Sequence, residues 1–188
     1  MNIEDVRKNF KVLIDGIPFN IEENEFMKPG KGSAVYRLRL RNLVDGSNVN
    51  HTYHSGDKLE EISLDAKKQQ FLYKEGDQYV FMDSETYEQH SIAEQLLGEK
   101  AHFLKEGMPV TVTFLGERPL DVAMPNFVEL AVTGTAATTR GDTITAQNKP
   151  ATLETGHTIN VPTFVKEGDV IKVDTRSGTY VERVTTKK

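Results

Sequence analysis

The sequence predicts an all-β protein built of small barrels or sandwiches. Nearly every stretch is a short run of alternating residues broken by a glycine-containing turn, the pattern of strands joined as hairpins. Only Ile92 to Lys105 has helical character, and Gly98 divides it into short pieces. Composition turns acidic near Leu64–Asp65 and shifts again near Asn126–Val128, after "MPNF". The expected units are therefore 1–64, 65–127 and 128–188, each close to the lower size at which a domain folds alone.

The elements follow in order. "KVLIDGIPFNI" reads as strand, Asp15-Gly16 turn, strand. Next comes a Pro/Gly-rich turn holding Lys28, Pro29, Gly30, Lys31 and Gly32, in a window from Phe26 to Val44 without an acidic residue. Gly30 and Gly32 bracket Lys31, so the chain there can take positive φ and nothing bulky hides the ammonium. "AVYRLRLRNL" alternates, with Arg37, Arg39 and Arg41 on one side and Tyr36, Leu38 and Leu40 on the other. "NVNHTYHSGDKL" is a strand ending in a Ser-Gly-Asp turn. Hairpins then follow across Glu75-Gly76-Asp77, around Gly116 and over Ser177-Gly178. "KEGDQYVFMDSETYEQ" echoes "KEGDVIKVDTRSGTYVER", which points to the same kind of barrel in the second and third units or to coincidence between two hairpins.

Composition narrows the function. At 37% hydrophobic residues the chain suits a folded protein with modest cores. The absence of cysteine excludes disulfides, thiol nucleophiles and Cys-ligated metal sites. No apolar run approaches a membrane span and "MNIEDVRKNF" is not a signal peptide, so a cytoplasmic protein away from membranes is expected. The net charge of −5 divides as −1, −5 and +1 over the three units, leaving the ends able to meet RNA while the acidic middle stays in solvent.

Sites for chemistry are sought and not found. "GKGS" is no P-loop, because Glu25 stands where the first glycine is needed and Gly32 follows Lys31. A dinucleotide fingerprint fails at Val35. His51 and His54 are three apart on a strand and face opposite sides, while His90, His102 and His157 are scattered; all five read as solvated. Glu22, Glu23 and Glu25 read as a solvated strand edge. Neither an enzyme nor a metal or cofactor site is expected. What remains is the arginine stripe, three cations about 6–7 Å apart, near the spacing of phosphates along a nucleic-acid strand. It reads either as an edge decorated against aggregation or as an RNA-facing surface, and the adjacent tip lysine favours RNA.

These residues resemble the bacterial elongation factor P family along nearly the whole chain. "EFMKPGKG", "LRNL" and "SGDK" match its first domain, "FMDSETYEQ" and "MPNFVEL" its middle, and "RGDT" and "KPATLETG" its last. Within "KPATLETGHTINVPTFVKEG", Lys149, Ala151, Gly156, Ile159, Val161, Pro162, Val165 and Gly168 fall at the family's signature spacing. There are two departures. "VRKNFKV" lacks the glycine that usually follows Arg-x, which leaves the turn there open, and "TGTAATT" replaces a commoner acidic run.

The resemblance implies an SH3-like (KOW-type) barrel followed by two OB-fold barrels in an L-shaped, tRNA-like arrangement. It implies a monomer that binds the 70S ribosome between the P and E sites, beside the peptidyl-tRNA, and relieves stalling at consecutive prolines. Lys28, Pro29, Gly30, Lys31 and Gly32 would contact the CCA end, and Lys31 matches the residue that a lysine-modifying enzyme of the β-lysylation type extends. Arg37, Arg39 and Arg41 would meet RNA backbone. Gly141, Asp142, Thr143, Tyr180 and Arg183 would face the E-site codon, mRNA and small subunit. The rival readings are an OB-fold single-stranded RNA-binding protein working off the ribosome, which lacks an evident aromatic cluster, and a hydrolase or transferase, which lacks a nucleophile.

Overall fold

The computed structural model describes residues 1–135 and 148–184. In the first sheet, β1 (Lys11–Ile14) turns into β2 (Ile17–Met27) over Asp15 and Gly16. Their φ angles of 51° and 76° are the two left-handed residues of a type I′ hairpin. With β3 (Val35–Asn42), β4 (Asn48–His54) and β5 (Glu60–Glu61) the order is β4-β3-β2-β1-β5. The alternation of β3 holds: Leu38 and Leu40 are fully buried with Ile3, Val6, Val12 and Ile21, and the three arginines are exposed.

A 3-10 turn over Ile3–Asp5, which the sequence did not announce, plugs Ile3 into that core. The Glu4 carboxylate accepts hydrogen bonds from the Ser55 hydroxyl (2.6 Å) and the Gly56 amide (2.9 Å), which hold its carboxyl below the usual carboxylate range. The open turn at "VRKNFKV" is answered by Asn9, which takes φ of 69° and so fills the place of a glycine. Asparagine is among the few residues that tolerate that conformation.

The second sheet comprises β6 (Asp65–Glu75), β7 (Gln78–Asp83), β8 (Gln89–Ala93), β9 (Pro109–Leu115) and β10 (Arg118–Ala123), in the order β10-β9-β6-β7-β8. The third comprises β11 (Phe127–Thr135), β12 (Asn148–Leu153), β13 (Thr158–Pro162), β14 (Val170–Asp174) and β15 (Thr179–Val184), in the order β13-β12-β11-β14-β15. In both sheets the first strand lies between the second and the fourth. That order is a Greek key of OB type, and in the second sheet the long connection runs from the third strand to the fourth.

The shared order does not come from the echo seen in the sequence. The first copy spans the second and third strands of its sheet, whereas the second copy spans the fourth and fifth of the other. Lys-Glu-Gly-Asp recurs because both places need a tight turn, with φ of 62° at Gly76 and 89° at Gly168. The helical expectation also shrinks. Ile92 ends β8, α1 (Glu94–Leu97) is a single turn, and Gly98–Phe103 is 3-10 helix. Gly98 at φ 56° is where the α-helix stops.

By compactness the chain divides into Met1–Lys67 with Val112–Asp121, and Lys68–Thr111 with the chain from Val122 onward. Within the latter unit, Phe103 is buried at 3% exposure among Val128, Leu130, Leu153, Val161 and Ile171, side chains of the third sheet. The 3-10 segment thereby docks on that sheet, and the Thr155 hydroxyl donates to the His102 carbonyl at 2.6 Å.

Candidate nucleic-acid interface

β2 and β3 pair from Phe19↔Asn42 out to Met27↔Val35, with β4 alongside β3 as far as Val35↔His54, forming a long arm that ends in the loop from Lys28 to Ala34. Lys28, Pro29, Gly30, Lys31 and Gly32 are all exposed. Neither Lys28 nor Lys31 makes an ion pair or side-chain hydrogen bond among the described residues. Of the two bracketing glycines only Gly32 uses its freedom, at φ 124°, where an added Cβ would also touch the Pro29 ring at 3.7 Å. Gly30 stands in open space without positive φ. The loop thus holds one lysine between a required glycine and an unobstructed one.

The arginine stripe differs from its sequence reading. β3 is paired on both sides along its length, so the arginines do not lie on a sheet edge, whereas β2 pairs with β1 only from Ile17 to Asn20, so Glu22, Glu23 and Glu25 stand on a local edge. Each arginine faces a carboxylate across the pair: Arg37 with Glu25 at 3.9 Å, Arg39 with Glu23 at 3.6 Å and Arg41 with Glu22 at 3.3 Å. All three arginines are about half exposed, so these pairs contribute little to stability, but they cancel much of the local field. The acid-free window hid this, because hairpin register brings in carboxylates from just outside it. Unpaired cationic charge is concentrated at the tip.

Register also assembles an aromatic group at the base of the loop. Phe26 is opposite Tyr36 and Tyr36 is opposite Tyr53. The Phe26 and Tyr36 ring centroids are 5.0 Å apart at 50°, and Phe26 is 56% exposed. Tyr53 is half-buried beside His51, with its hydroxyl 3.3 Å from the imidazole Nδ1. Burial, then the charges of Asp15 and Asp57, push the Tyr53 phenol up. Sequence reasoning found no exposed aromatic cluster because its members lie ten or more positions apart.

On the third sheet, Gly141, Asp142 and Thr143 lie outside the described residues. Tyr180 is half-buried and packs against the core. Arg183 lies over the exposed Phe164 ring at 5.4 Å and pairs with Asp169 at 3.6 Å. Phe127, which the sequence did not single out, is half-exposed and has Lys172 and Arg176 over its ring at 5.3 and 5.4 Å.

Among the described residues no three His, Asp or Glu are placed to hold a metal ion, and no helix is long and apolar enough to cross a membrane. Alternation along β4 keeps His51 half-buried and His54 exposed. The scattered-histidine reading is corrected at one pair. His102 and His157 stack with centroids 4.2 Å apart at 15°, and Phe103 meets His157 edge-on at 5.4 Å. Tertiary docking of the 3-10 segment brings them together, and no local pattern could have announced it.

Comparison with known proteins covers almost the whole chain. Family models match at residues 2–59 (elongation factor P, KOW-like domain), 64–122 (elongation factor P, OB domain) and 128–183 (elongation factor P, C-terminal). Elongation factor P of Desulfotalea psychrophila is 45% identical over 184 residues, 98% of each chain. That of Desulfosudis oleivorans is 46% identical over 180 residues, 96% of each. Among solved structures, eukaryotic translation initiation factor 5A from Methanococcus jannaschii superposes with a TM-score of 0.54 at 25% identity, over 66% of this chain and 91% of that one. A translation initiation factor 5A family protein from Naegleria fowleri shares the fold at 17% identity and a TM-score of 0.54, over 66% of this chain and 96% of that one.

Proposed function

The chain belongs to the elongation factor P family of translation factors, and from that premise we propose that it binds the 70S ribosome between the P and E sites and positions the peptidyl-tRNA for peptide-bond formation at consecutive prolines. The observation that carries this reading is Lys31, exposed and without an ion pair among the described residues, at the end of the β2–β3 arm. Proline is a rigid and poorly placed reactant. A cationic arm lying along the CCA end holds the two substrates in register and supplies part of the barrier lowering as order prepaid on binding. No bond chemistry of the factor's own is required. In this reading Lys28, Pro29, Gly30 and Gly32 shape the contact, and a β-lysylating enzyme extends the Lys31 amine, lengthening the reach of the charge. Gly141, Asp142, Thr143, Tyr180 and Arg183 face the E-site codon, mRNA and small subunit, and the factor works as a cytoplasmic monomer.

The test is single-turnover peptide-bond formation at a Pro-Pro-Pro sequence, titrated with factor. Lys31→Ala is expected to fold normally and to lose stimulation at saturation, with a smaller loss of affinity. Wild-type rescue by the alanine variant would sink the proposal. A second reading, an OB-fold protein binding single-stranded RNA off the ribosome, is favoured by Phe127 beneath two cations. Co-sedimentation with 70S ribosomes separates the two.

A further inference from the structure

The inward face of the arm changes character along its length. Leu38 is fully buried, Tyr36 half-buried, and Phe26, opposite Tyr36, is more than half exposed. The core face of the barrel therefore runs on past the core through the half-buried Tyr36 and Tyr53 and ends in Phe26, whose ring is more than half exposed. Alternation keeps the acids off it. Glu23 and Glu25 point to the arginine face, while Asn24 and Phe26 share the inward face with Tyr36, Leu38, His51 and Tyr53, among which there is no carboxylate. Lys28 follows Phe26 by two residues, within about 7 Å along an extended chain. Asp15 and Asp57 act on Tyr53 at the back of the group, and an exposed ring beside cations is what single-stranded nucleic acid asks for: cations hold the backbone and rings take the bases.

We propose that Phe26, braced by Tyr36, is a stacking platform for an unpaired nucleobase of the RNA strand whose backbone Lys28 and Lys31 bind. This deepens the reading above and rests on it. Tyr36 sets the tilt of Phe26 by its 5.0 Å contact, and Tyr53 backs Tyr36 from the neighbouring strand. The lysines supply a salt-dependent attraction, and the rings add a salt-independent one that fixes where along the strand the tip comes to rest.

The experiment uses the full chain and two probes. The first is the 70S ribosome with peptidyl-tRNA in the P site, titrated at several salt concentrations. The second is an unpaired RNA oligonucleotide ending in CCA with 2-aminopurine as its last base, whose fluorescence reports stacking. Phe26→Leu with Tyr36→Leu is expected to weaken ribosome binding about tenfold without changing the salt slope, and to abolish quenching of the oligonucleotide. Tyr36→Phe, which keeps the ring, is expected to behave as wild type. Lys28→Ala with Lys31→Ala should instead flatten the salt slope by about two. Leucine variants that bind and quench as wild type overturn the platform. So does a defect confined to lysine modification, which would assign the rings to a protein partner. If the wild type fails to bind ribosomes at all, the functional reading falls, and quenching of the oligonucleotide still decides the platform separately.

Discussion

At the tip, two glycines that look equivalent in sequence carry different demands. Gly32 sits at φ 124°, which residues with a Cβ rarely adopt, and Gly30 has neither that backbone nor a neighbour within 4 Å. Gly32→Ala is therefore expected to re-aim Lys31 and lower the maximal rate at consecutive prolines several-fold, although the exposed loop leaves the melting temperature almost unchanged. Gly30→Ala costs the free protein nothing, so any loss of rate it causes measures how closely RNA approaches the backbone there. Equal rates for the two variants in single-turnover titration would remove the backbone argument. Asn9 makes the complementary point. The resemblance showed a glycine missing, and the structure shows the left-handed residue kept by one of the few side chain types suited to it. Backbone demand was legible as a place but not as a solution.

The arm shows why an element is harder to read than its residues. Alternation gave the faces of β3 correctly, since each arginine is exposed and Leu38 and Leu40 are buried. The local charge was misread, because charge on a hairpin is a property of two strands in register. Glu25, Glu23 and Glu22 neutralise the stripe from positions that a linear window leaves out. RNA phosphate must displace those carboxylates before an arginine can serve it. Replacing all three arginines is then expected to flatten the salt dependence of ribosome binding by clearly less than three, the value for three unencumbered phosphate contacts. Conversely, Glu23→Gln with Glu25→Gln is expected to tighten binding several-fold and to steepen the slope. Titration at three or four salt concentrations reads both. A slope that drops by three on losing the arginines, or no gain from the glutamines, would mean that the pairs impose no toll on RNA binding.

At the scale of the whole molecule, the hairpin turns at Gly16, Gly76, Gly116 and Gly178 were legible because each declares itself locally, whereas the β12–β13 hairpin and the joint between the second and third sheets were not. That joint depends on Phe103, from a segment with helical patterning, entering the core of the third sheet and bringing His102 onto His157. Burial first, and then the neighbouring His102, push the His157 imidazole below its ordinary value, while the charge of Glu99 works the other way. The charged group acting on the pair is Glu99, 3.5 Å from His102 on the 3-10 segment, while Lys105 beyond that segment is bound at 3.1 Å to Glu154 in the β12–β13 turn. With the folded value depressed, the folded state holds fewer protons than the unfolded chain just below pH 6.5. The stability from this pair is therefore complete above about pH 6.5 and is lost as pH falls through the lowered value of His157. Because His157 is only partly shielded, the effect on melting is expected to be a few degrees and no more. The decisive comparison is the melting temperature of wild type and His157→Gln from pH 8 to pH 5. The wild type should lose more on acidification than the glutamine variant, which keeps polarity at the site but cannot charge. His102→Gln should blunt the same loss by removing the second imidazole. Parallel curves for all three proteins would show that acid acts elsewhere and that the stacked pair holds the joint by packing alone.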